Sequence, residues 1–246
     1  MLQVCLNGAR TPHECADLPV TPDELATAAG EAVAAGAEDI HLHPKDRDGR
    51  DTLDADAVAA ALDAVRTAVP GVPVGITTGA WATAHPQART AQVRSWTVLP
   101  DHASVNWHED GAEDVAAALL DRGVGIEAGI YSSTPAAQRF LDWPESHRVL
   151  RILAEVTETA PQHAVLVAAD LLNQLASVTA PVLLHGEDTA AWPVLSLAAS
   201  RRLDTRIGLE DVLRLPDGAP APGNAALVRA ARETIRQSVA AHHGRP

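Results

Sequence analysis

The sequence predicts an α/β fold, a compact (β/α)8 TIM barrel that forms a single domain over residues 1–246. Eight short apolar runs each precede a longer segment of helical period, and this order repeats along the whole chain. Eight such units in 246 residues match the length and rhythm of a barrel with shortened loops. The alternative, an open doubly wound sheet, usually carries a Gly-rich phosphate loop after its first strand. Residues 7–11 stand there instead and read NGART, without that pattern.

The individual elements follow from apolar spacing and from residues typical of helix ends. Thr21, Pro22 and Glu24 predict a capping box at the start of the first helix, and Gly36 is expected to end it. The second helix gains one apolar face from Val58, Leu62, Val65 and Val69. Strands are expected near 2–8, 38–43, 73–77, 102–107, 123–131, 150–156, 180–184 and 205–209. Helices are expected near 22–35, 54–69, 83–95, 112–121, 134–141, 162–176, 189–202 and 224–241.

Charge and composition exclude several classes of protein. With 19 basic and 32 acidic residues the net charge is -13, which argues against a protein that coats nucleic acid or an anionic membrane. We expect no signal peptide, because residues 1–6 lack a basic segment, and no membrane span, because no apolar stretch approaches the required length. Cys5 and Cys15 are too few for a disulfide scaffold, so we expect a cytoplasmic protein.

A possible metal site lies at the end of the second predicted strand. His41 and His43 are two residues apart, so both imidazoles point to the same side with Cα atoms about 7 Å apart. Glu210 lies at the end of strand eight, and alternate strands contribute side chains to the same layer of a barrel. Two histidines and one carboxylate suit catalytic zinc, although non-haem Fe(II) uses the same ligands. The alternative is a chance His pair and a solvated Glu.

Polar residues at other strand ends are candidates for binding substrate. Hydroxyl and backbone N–H groups beside a glycine suit a carboxylate or an oxyanion, although they could simply end strands and cap helices. This group comprises Thr77, Thr78, Gly79, Ser104, Asn106 and Glu127. Arg10 and Arg206 could bind a carboxylate through their guanidinium groups, and Lys45, the only lysine, could contact an anion. His185 could support the site or contact substrate.

Several motifs, in order along the chain, resemble those of a known family. They are GART at 8–11, LPVTPDE at 18–24, HLH at 41–43, TTG at 77–79, SVN at 104–106 and RIGLED at 206–211. Together they resemble the β-keto acid cleavage enzymes, a family whose founding activity is the cleavage of 3-keto-5-aminohexanoate in lysine fermentation.

The resemblance implies a zinc-dependent acyltransferase that takes a β-keto acid and acetyl-CoA and releases acetoacetate and a new acyl-CoA. It implies His41, His43 and Glu210 as zinc ligands. It also implies Asp211 as the base that removes a proton from the substrate, with Arg206 as its electrostatic partner. Thr77, Ser104 and Asn106 correspond to substrate contacts. Assembly into a homo-oligomer is expected as well.

The sequence departs from the family pattern at two places, one expected to bind the β-keto acid and the other CoA. Arg10 stands where the lysine-fermentation enzyme has an acidic residue for the substrate's ammonium group, so we expect a substrate with an anionic or neutral polar distal end. After strand six, residues 153–158 lack the family's Pro-Gly-Gly type of loop, which is expected near CoA.

Two other interpretations of the His-x-His motif remain as alternatives. A metal-dependent hydrolase barrel also uses a His-x-His pair, but on its first strand and with further histidines on strands five and six. A non-catalytic barrel that binds zinc and an acid is the second, against which Asp211 beside Glu210 argues.

Overall fold

Eight parallel strands form the centre of the chain in a computed structural model that describes residues 1–83, 85–158 and 160–243. They are β1 (Leu2–Cys5), β2 (Asp39–Leu42), β3 (Val74–Thr77), β4 (His102–Asn106), β5 (Gly125–Tyr131), β6 (Arg151–Val156), β7 (Val182–Gly186) and β8 (Thr205–Ile207). Their order is β7-β6-β5-β4-β3-β2-β1-β8. A parallel bridge between Leu183 and Asp204 joins the two ends. The predicted TIM barrel is confirmed.

Among the described residues, eight α-helices surround the strands. They are α1 (Pro22–Ala34), α2 (Ala55–Ala68), α3 (Pro86–Ser95), α4 (Ala112–Asp121), α5 (Ala136–Asp142), α6 (Pro161–Gln174), α7 (Ala191–Ser200) and α8 (Asn224–His243). The first and last strands are shorter than the sequence predicts, ending at Cys5 and Ile207. The third helix was expected from residue 83 and begins at Pro86, while Ala84 lies outside the described residues. No helix in the described part of the chain has the length and apolar character to cross a bilayer.

Local signals explain where the helices begin and how they pack. The capping box of α1 is present, since Glu24 N–H donates to Thr21 Oγ1 at 3.3 Å and Thr21 N–H donates to Glu24 Oε2 at 2.9 Å. The predicted apolar face of α2 is buried against the barrel. Along β2, Ile40 and Leu42 belong to the apolar layer between strands and helices. The alternate residues therefore point into the barrel.

The inside of the barrel is polar. Arg151 on β6 donates from Nη2 to Asp39 Oδ2 at 2.8 Å and from Nε to Glu127 Oε1 at 2.7 Å. His102 lies between the same carboxylates, with Nε2 3.1 Å from Asp39 Oδ1 and Nδ1 3.2 Å from Glu127 Oε2. Gln3 donates to both carboxylates. We call these five residues the buried ion network. Asp39 precedes His41 on β2, so the network lies on the N-terminal side of the predicted metal ligands.

Candidate metal centre and catalytic face

The three predicted metal ligands converge at the C-terminal end of the barrel. Glu210 Oε2 lies 3.8 Å from His41 Nε2, and Glu210 Oε1 lies 3.7 Å from His43 Nε2. One ligand atom from each of the three residues lies within 4.8 Å of the other two. Ligand atoms held tetrahedrally at zinc distances are about 3.3 Å apart, so the spacing is close to that of a zinc site. Glu210 Oε2 is buried without a hydrogen-bond partner, which also fits a cation at this position.

The two histidines have different surroundings. Asp51 Oδ2 lies 2.8 Å from His43 Nδ1, which leaves Nε2 directed to Glu210. Burial alone lowers the pKa of His43, but Glu210 and Asp51 together raise it to about 9. Burial lowers the pKa of His41 to about 3. His41 Nδ1 has no hydrogen-bond partner and lies 3.8 Å from Glu127 Oε2. A carboxylate behind the outer nitrogen is the usual arrangement for a metal-ligating histidine.

Lys45 supports the candidate metal centre through Asp51. Its ammonium contacts Asp51 Oδ1 at 2.5 Å and donates to the carbonyl of Gly8 at 2.6 Å. The side chain is only 1% exposed. Lys45 therefore contacts an anion of the chain itself, and it fixes Asp51 behind His43.

Asp211 is buried beside the metal ligands. Arg206 Nη2 donates to Asp211 Oδ1 at 2.8 Å and to Glu210 Oε1 at 2.9 Å, so one guanidinium joins the predicted base to a predicted ligand. Cys5 Sγ donates to Asp211 Oδ2 at 2.8 Å. The pKa of Arg206 lies well above its ordinary value, because Asp211 and Glu210 outweigh the effect of burial. His185 accepts from Arg206 Nε at 3.3 Å.

The predicted substrate-binding residues of β3 and β4 are brought together. Thr78 Oγ1 donates to the carbonyl of Ser104 at 2.6 Å, and Gly79 N–H donates to Thr77 Oγ1 at 3.0 Å. Asn106 donates to Glu109 Oε1 at 3.0 Å. We call residues 77–79 the β3 turn.

Two other predicted substrate contacts have partners within the chain. The guanidinium of Arg10 donates to Asp188 Oδ1 at 2.8 Å and to the carbonyl of Glu210 at 3.0 Å, so it links the loops after β1, β7 and β8. Glu127 is fully buried in the buried ion network. The structure therefore does not bring Glu127 to the rim of the barrel.

Several residues near the site escaped prediction from sequence. Asp51 is one of many acidic residues, and Cys5 lies 206 positions from its partner Asp211. Trp81 stacks on His43 with ring centroids 5.9 Å apart. Its place three residues after Thr78, in a chain with only 3% aromatic residues, was the available signal.

A second group of possible ligands, Asp39, His102 and Glu127, lies deeper in the barrel. Arg151 binds both of these carboxylates, so its guanidinium already supplies the positive charge that an ion would bring. This group is therefore a closed ion network and not a second metal site.

Comparison with known structures relates the fold to other barrels. ObcA in a ternary complex with a C4-CoA adduct and oxalate aligns with a TM-score of 0.70 and 17% identity, over 89% of this chain and 64% of that chain. ObcA with oxaloacetate gives a TM-score of 0.68 at 17% identity, over 92% and 67%. The 3-dehydroquinate dehydratase of Geobacillus kaustophilus HTA426 gives 0.61 at 11% identity, over 99% and 92%. At these identities the likeness concerns the fold alone.

Sequence comparison identifies the family. A 3-keto-5-aminohexanoate cleavage enzyme of Fusobacterium nucleatum subsp. nucleatum is 28% identical over 125 residues, which span 46% of this chain and 46% of that relative. The match thus spans about half the length of that curated relative. The model of the beta-keto acid cleavage enzyme family matches residues 1–241. The chain belongs to the beta-keto acid cleavage enzyme family.

Proposed function

We propose that this chain is a zinc-dependent acyltransferase that condenses a β-keto acid with acetyl-CoA and releases acetoacetate and a new acyl-CoA. The observation that carries the proposal is that His41, His43 and Glu210 converge beside Asp211, with Arg206 bound to both Glu210 and Asp211. Family membership supports cleavage of a β-keto acid.

The residues present suit a divalent ion. His41, His43 and Glu210 would hold it, and Asp51 and Glu127 lie behind the two imidazoles. When bound, the ion would supply Lewis-acid catalysis at the keto and carboxylate oxygens of the substrate. Zinc is proposed because two histidines and one carboxylate with an open position form a catalytic zinc set, and Fe(II), which takes the same ligands, is the alternative that reloading with each ion tests.

Asp211 takes the proton from the carbon between the two carbonyl groups of the β-keto acid. Arg206 and Cys5 hold one carboxylate oxygen each, so the base keeps a fixed orientation. The resulting carbanion attacks the thioester carbonyl of acetyl-CoA, a carbon–carbon bond forms, and CoA leaves as the thiolate.

The second half of the reaction reverses these events on the other carbonyl group. The CoA thiolate attacks the original keto carbon, and the bond from that carbon to the central carbon breaks. Asp211 returns its proton to the central carbon, which gives acetoacetate and the new acyl-CoA. Atoms and charge balance, and no step requires a covalent bond to the chain.

The β3 turn, Ser104 and Asn106 are proposed to bind the substrate's carboxylate or the oxyanions that form. Arg10 is proposed to disfavour a substrate with a distal ammonium group, because its guanidinium lies beside the metal ligand Glu210. Glu127 and Lys45 are proposed to support the metal ligands and not to bind substrate, because Glu127 lies 3.8 Å from His41 and Lys45 holds Asp51. The short segment after β6 is proposed to lie near CoA. The predicted homo-oligomer and cytoplasmic location stay predictions.

The first experiment measures metal content and then product. Purified protein, stripped and reloaded with Zn²⁺ or Fe²⁺, is incubated with acetyl-CoA labelled in the acetyl group and a panel of β-keto acids. Mass spectrometry should find the label in the two methyl-end carbons of acetoacetate, together with an unlabelled acyl-CoA. Label in free acetate without acetoacetate would indicate a hydrolase, and metal without any turnover would indicate a binding barrel.

Matched variants separate metal binding from chemistry. H41Q should lose the metal and the activity, whereas H13Q, at an exposed histidine of the first loop, should keep both. D211N should keep the metal and lose about 10² to 10⁴-fold in turnover, the usual contribution of a general base. Full turnover in D211N would exclude Asp211 as the base.

A further inference from the structure

Trp81, in the loop after β3, lies between two parts of the proposed site. Its indole stacks on the imidazole of His43, with ring centroids 5.9 Å apart and planes inclined by 12°. It also covers Gly79 so closely that a Cβ on that glycine would lie 2.2 Å from Trp81 Cζ2. The indole is therefore held against both a metal ligand and the β3 turn.

Despite these contacts, Trp81 is 47% exposed. A single exposed apolar side chain is common on protein surfaces and means little alone. Here the exposed surface belongs to a ring that adjoins the metal ligand on one side and the proposed substrate-binding turn on the other. Aromatic side chains are typical linings of small-molecule sites, so this exposed surface is available to a ligand that binds at both parts.

The charges around Trp81 indicate which chemical group suits it. An ammonium group could interact weakly with the exposed indole face, and a carboxylate with capacity to pair would be needed to strengthen that interaction. Asp51 is already bound by His43 and Lys45. Glu109 is bound by Arg89 at 2.6 Å and by the N–H of Ala80 at 3.0 Å.

An anionic distal group would also find no unpaired charge among the basic side chains named for this region. Lys45 is buried against Asp51, and the guanidinium of Arg10 is paired with Asp188. An apolar group needs no such partner and gains from covering the indole.

We propose that Trp81 forms the subsite for an apolar distal group of the β-keto acid and determines the chain's specificity for it. This proposal rests on the proposed function, because it assumes that the metal and the β3 turn hold the reacting end. The presence of Arg10 in the sequence predicts instead a substrate with an anionic or neutral polar distal end. The Arg10 prediction and the Trp81 proposal therefore give different substrate preferences.

The kinetic test uses the zinc-loaded enzyme and three acids: 3-oxohexanoate, with an apolar end, 3-oxoadipate, with a carboxylate, and 3-oxo-5-aminohexanoate, with an ammonium. W81A should raise KM for 3-oxohexanoate by about 10-fold or more, the usual effect of a lost apolar contact, with kcat changed less than about two-fold. W81F should recover most of the loss. L166A, at the 69% exposed Leu166 of α6, is the matched control and should behave as the unmodified enzyme.

KM values that rise equally for all three acids would overturn the proposal, since that pattern indicates only a structural role. An unmodified enzyme that prefers 3-oxoadipate or the amine would overturn it as well.

A second measurement does not depend on turnover. Binding of 3-oxohexanoate to the zinc-loaded protein should change the indole fluorescence, and W81F should lose that change while retaining zinc. If none of the acids is turned over, the proposed function fails, yet this titration still tests the subsite. Equal fluorescence changes in the unmodified protein and W81F would overturn the proposal.

Discussion

Cys5 Sγ lies 2.8 Å from Asp211 Oδ2, so the thiol of the first strand donates to the carboxylate that follows the last strand. Burial and the charge of Asp211 raise the pKa of Cys5 well above its ordinary value, which keeps the thiol protonated and able to donate. Arg206 holds the other carboxylate oxygen at 2.8 Å. Cys5 is therefore a positioning residue for Asp211.

Removal of this donor should impair catalysis more than folding. We expect C5A to lower kcat several-fold with KM nearly unchanged, because Asp211 loses one of two contacts that fix its orientation. C5S retains a donor of similar size and should recover most of the loss. Steady-state kinetics and a urea titration of each variant provide the check. Equal kcat values for C5A and C5S would contradict a role for the donor.

Asp51 should control how tightly the metal binds. Its carboxylate fixes His43 through Nδ1 at 2.8 Å and is itself held by Lys45. Loss of such a partner behind a ligating histidine usually costs 10 to 100-fold in metal affinity, so we expect D51N to weaken zinc binding by about that factor. Competition with a chromogenic chelator measures the affinity.

Asp48 offers a matched control on the same loop. Its side chain is 73% exposed and pairs only loosely with Arg50, at 3.6 Å. D48N should bind zinc as the unmodified protein does. If D51N and D48N have the same affinity, Asp51 has no part in holding His43.

The fold could be predicted from sequence because its signals are local. The capping box at Thr21 needs only residues 21–24, and the apolar face of α2 needs only spacing within one helix. Strand ends were harder to predict. The apolar residues Leu6 and Leu209 follow soon after Cys5 and Ile207, but the strands have ended before them and the chain turns into the loops of the catalytic face.

The site was predictable where neighbouring strand ends carry unusual residues, as with His41 and His43. Its supporting contacts were not, because they join distant parts of the chain. Glu127 looked like a rim residue from its place on β5, yet it pairs with Arg151 from β6 inside the barrel. Its partners His102 and Arg151 lie on two other strands, and no short sequence pattern encodes that pairing.

The buried ion network should depend strongly on Arg151. Its guanidinium compensates two buried carboxylates, and removal of one partner from a buried ion pair typically costs 3 to 5 kcal/mol. We therefore expect R151M to lower the free energy of unfolding by about 3 to 5 kcal/mol in urea titrations. R148M removes a solvent-exposed partner of Glu145 and should cost less than about 1 kcal/mol. Equal losses would show that the network contributes no special stability.

Glu155 and Glu187, on the catalytic face, should make the free energy of unfolding depend on pH. Glu155 on β6 and Glu187 after β7 are neighbouring carboxyl groups whose ionisations oppose each other. Burial raises the pKa of Glu155 to about 7 despite the opposing effect of Arg206. Burial and the adjacent Glu155 raise the pKa of Glu187 to about 7. The unfolded chain has ordinary values near about 4.3.

A carboxyl group whose pKa is raised by folding binds its proton more tightly in the folded state. The contribution of this pair to the free energy of unfolding should therefore fall as pH rises from about 4.3 to about 7, where the unfolded chain has already released the proton. E155Q removes the titrating pair and should flatten this slope, whereas E31Q, at an exposed residue of α1, should leave it unchanged. Urea titrations between these pH values, with a chelator present so that metal binding does not contribute, measure the slopes. Parallel slopes for E155Q and E31Q would mean that Glu155 and Glu187 titrate as ordinary surface carboxylates.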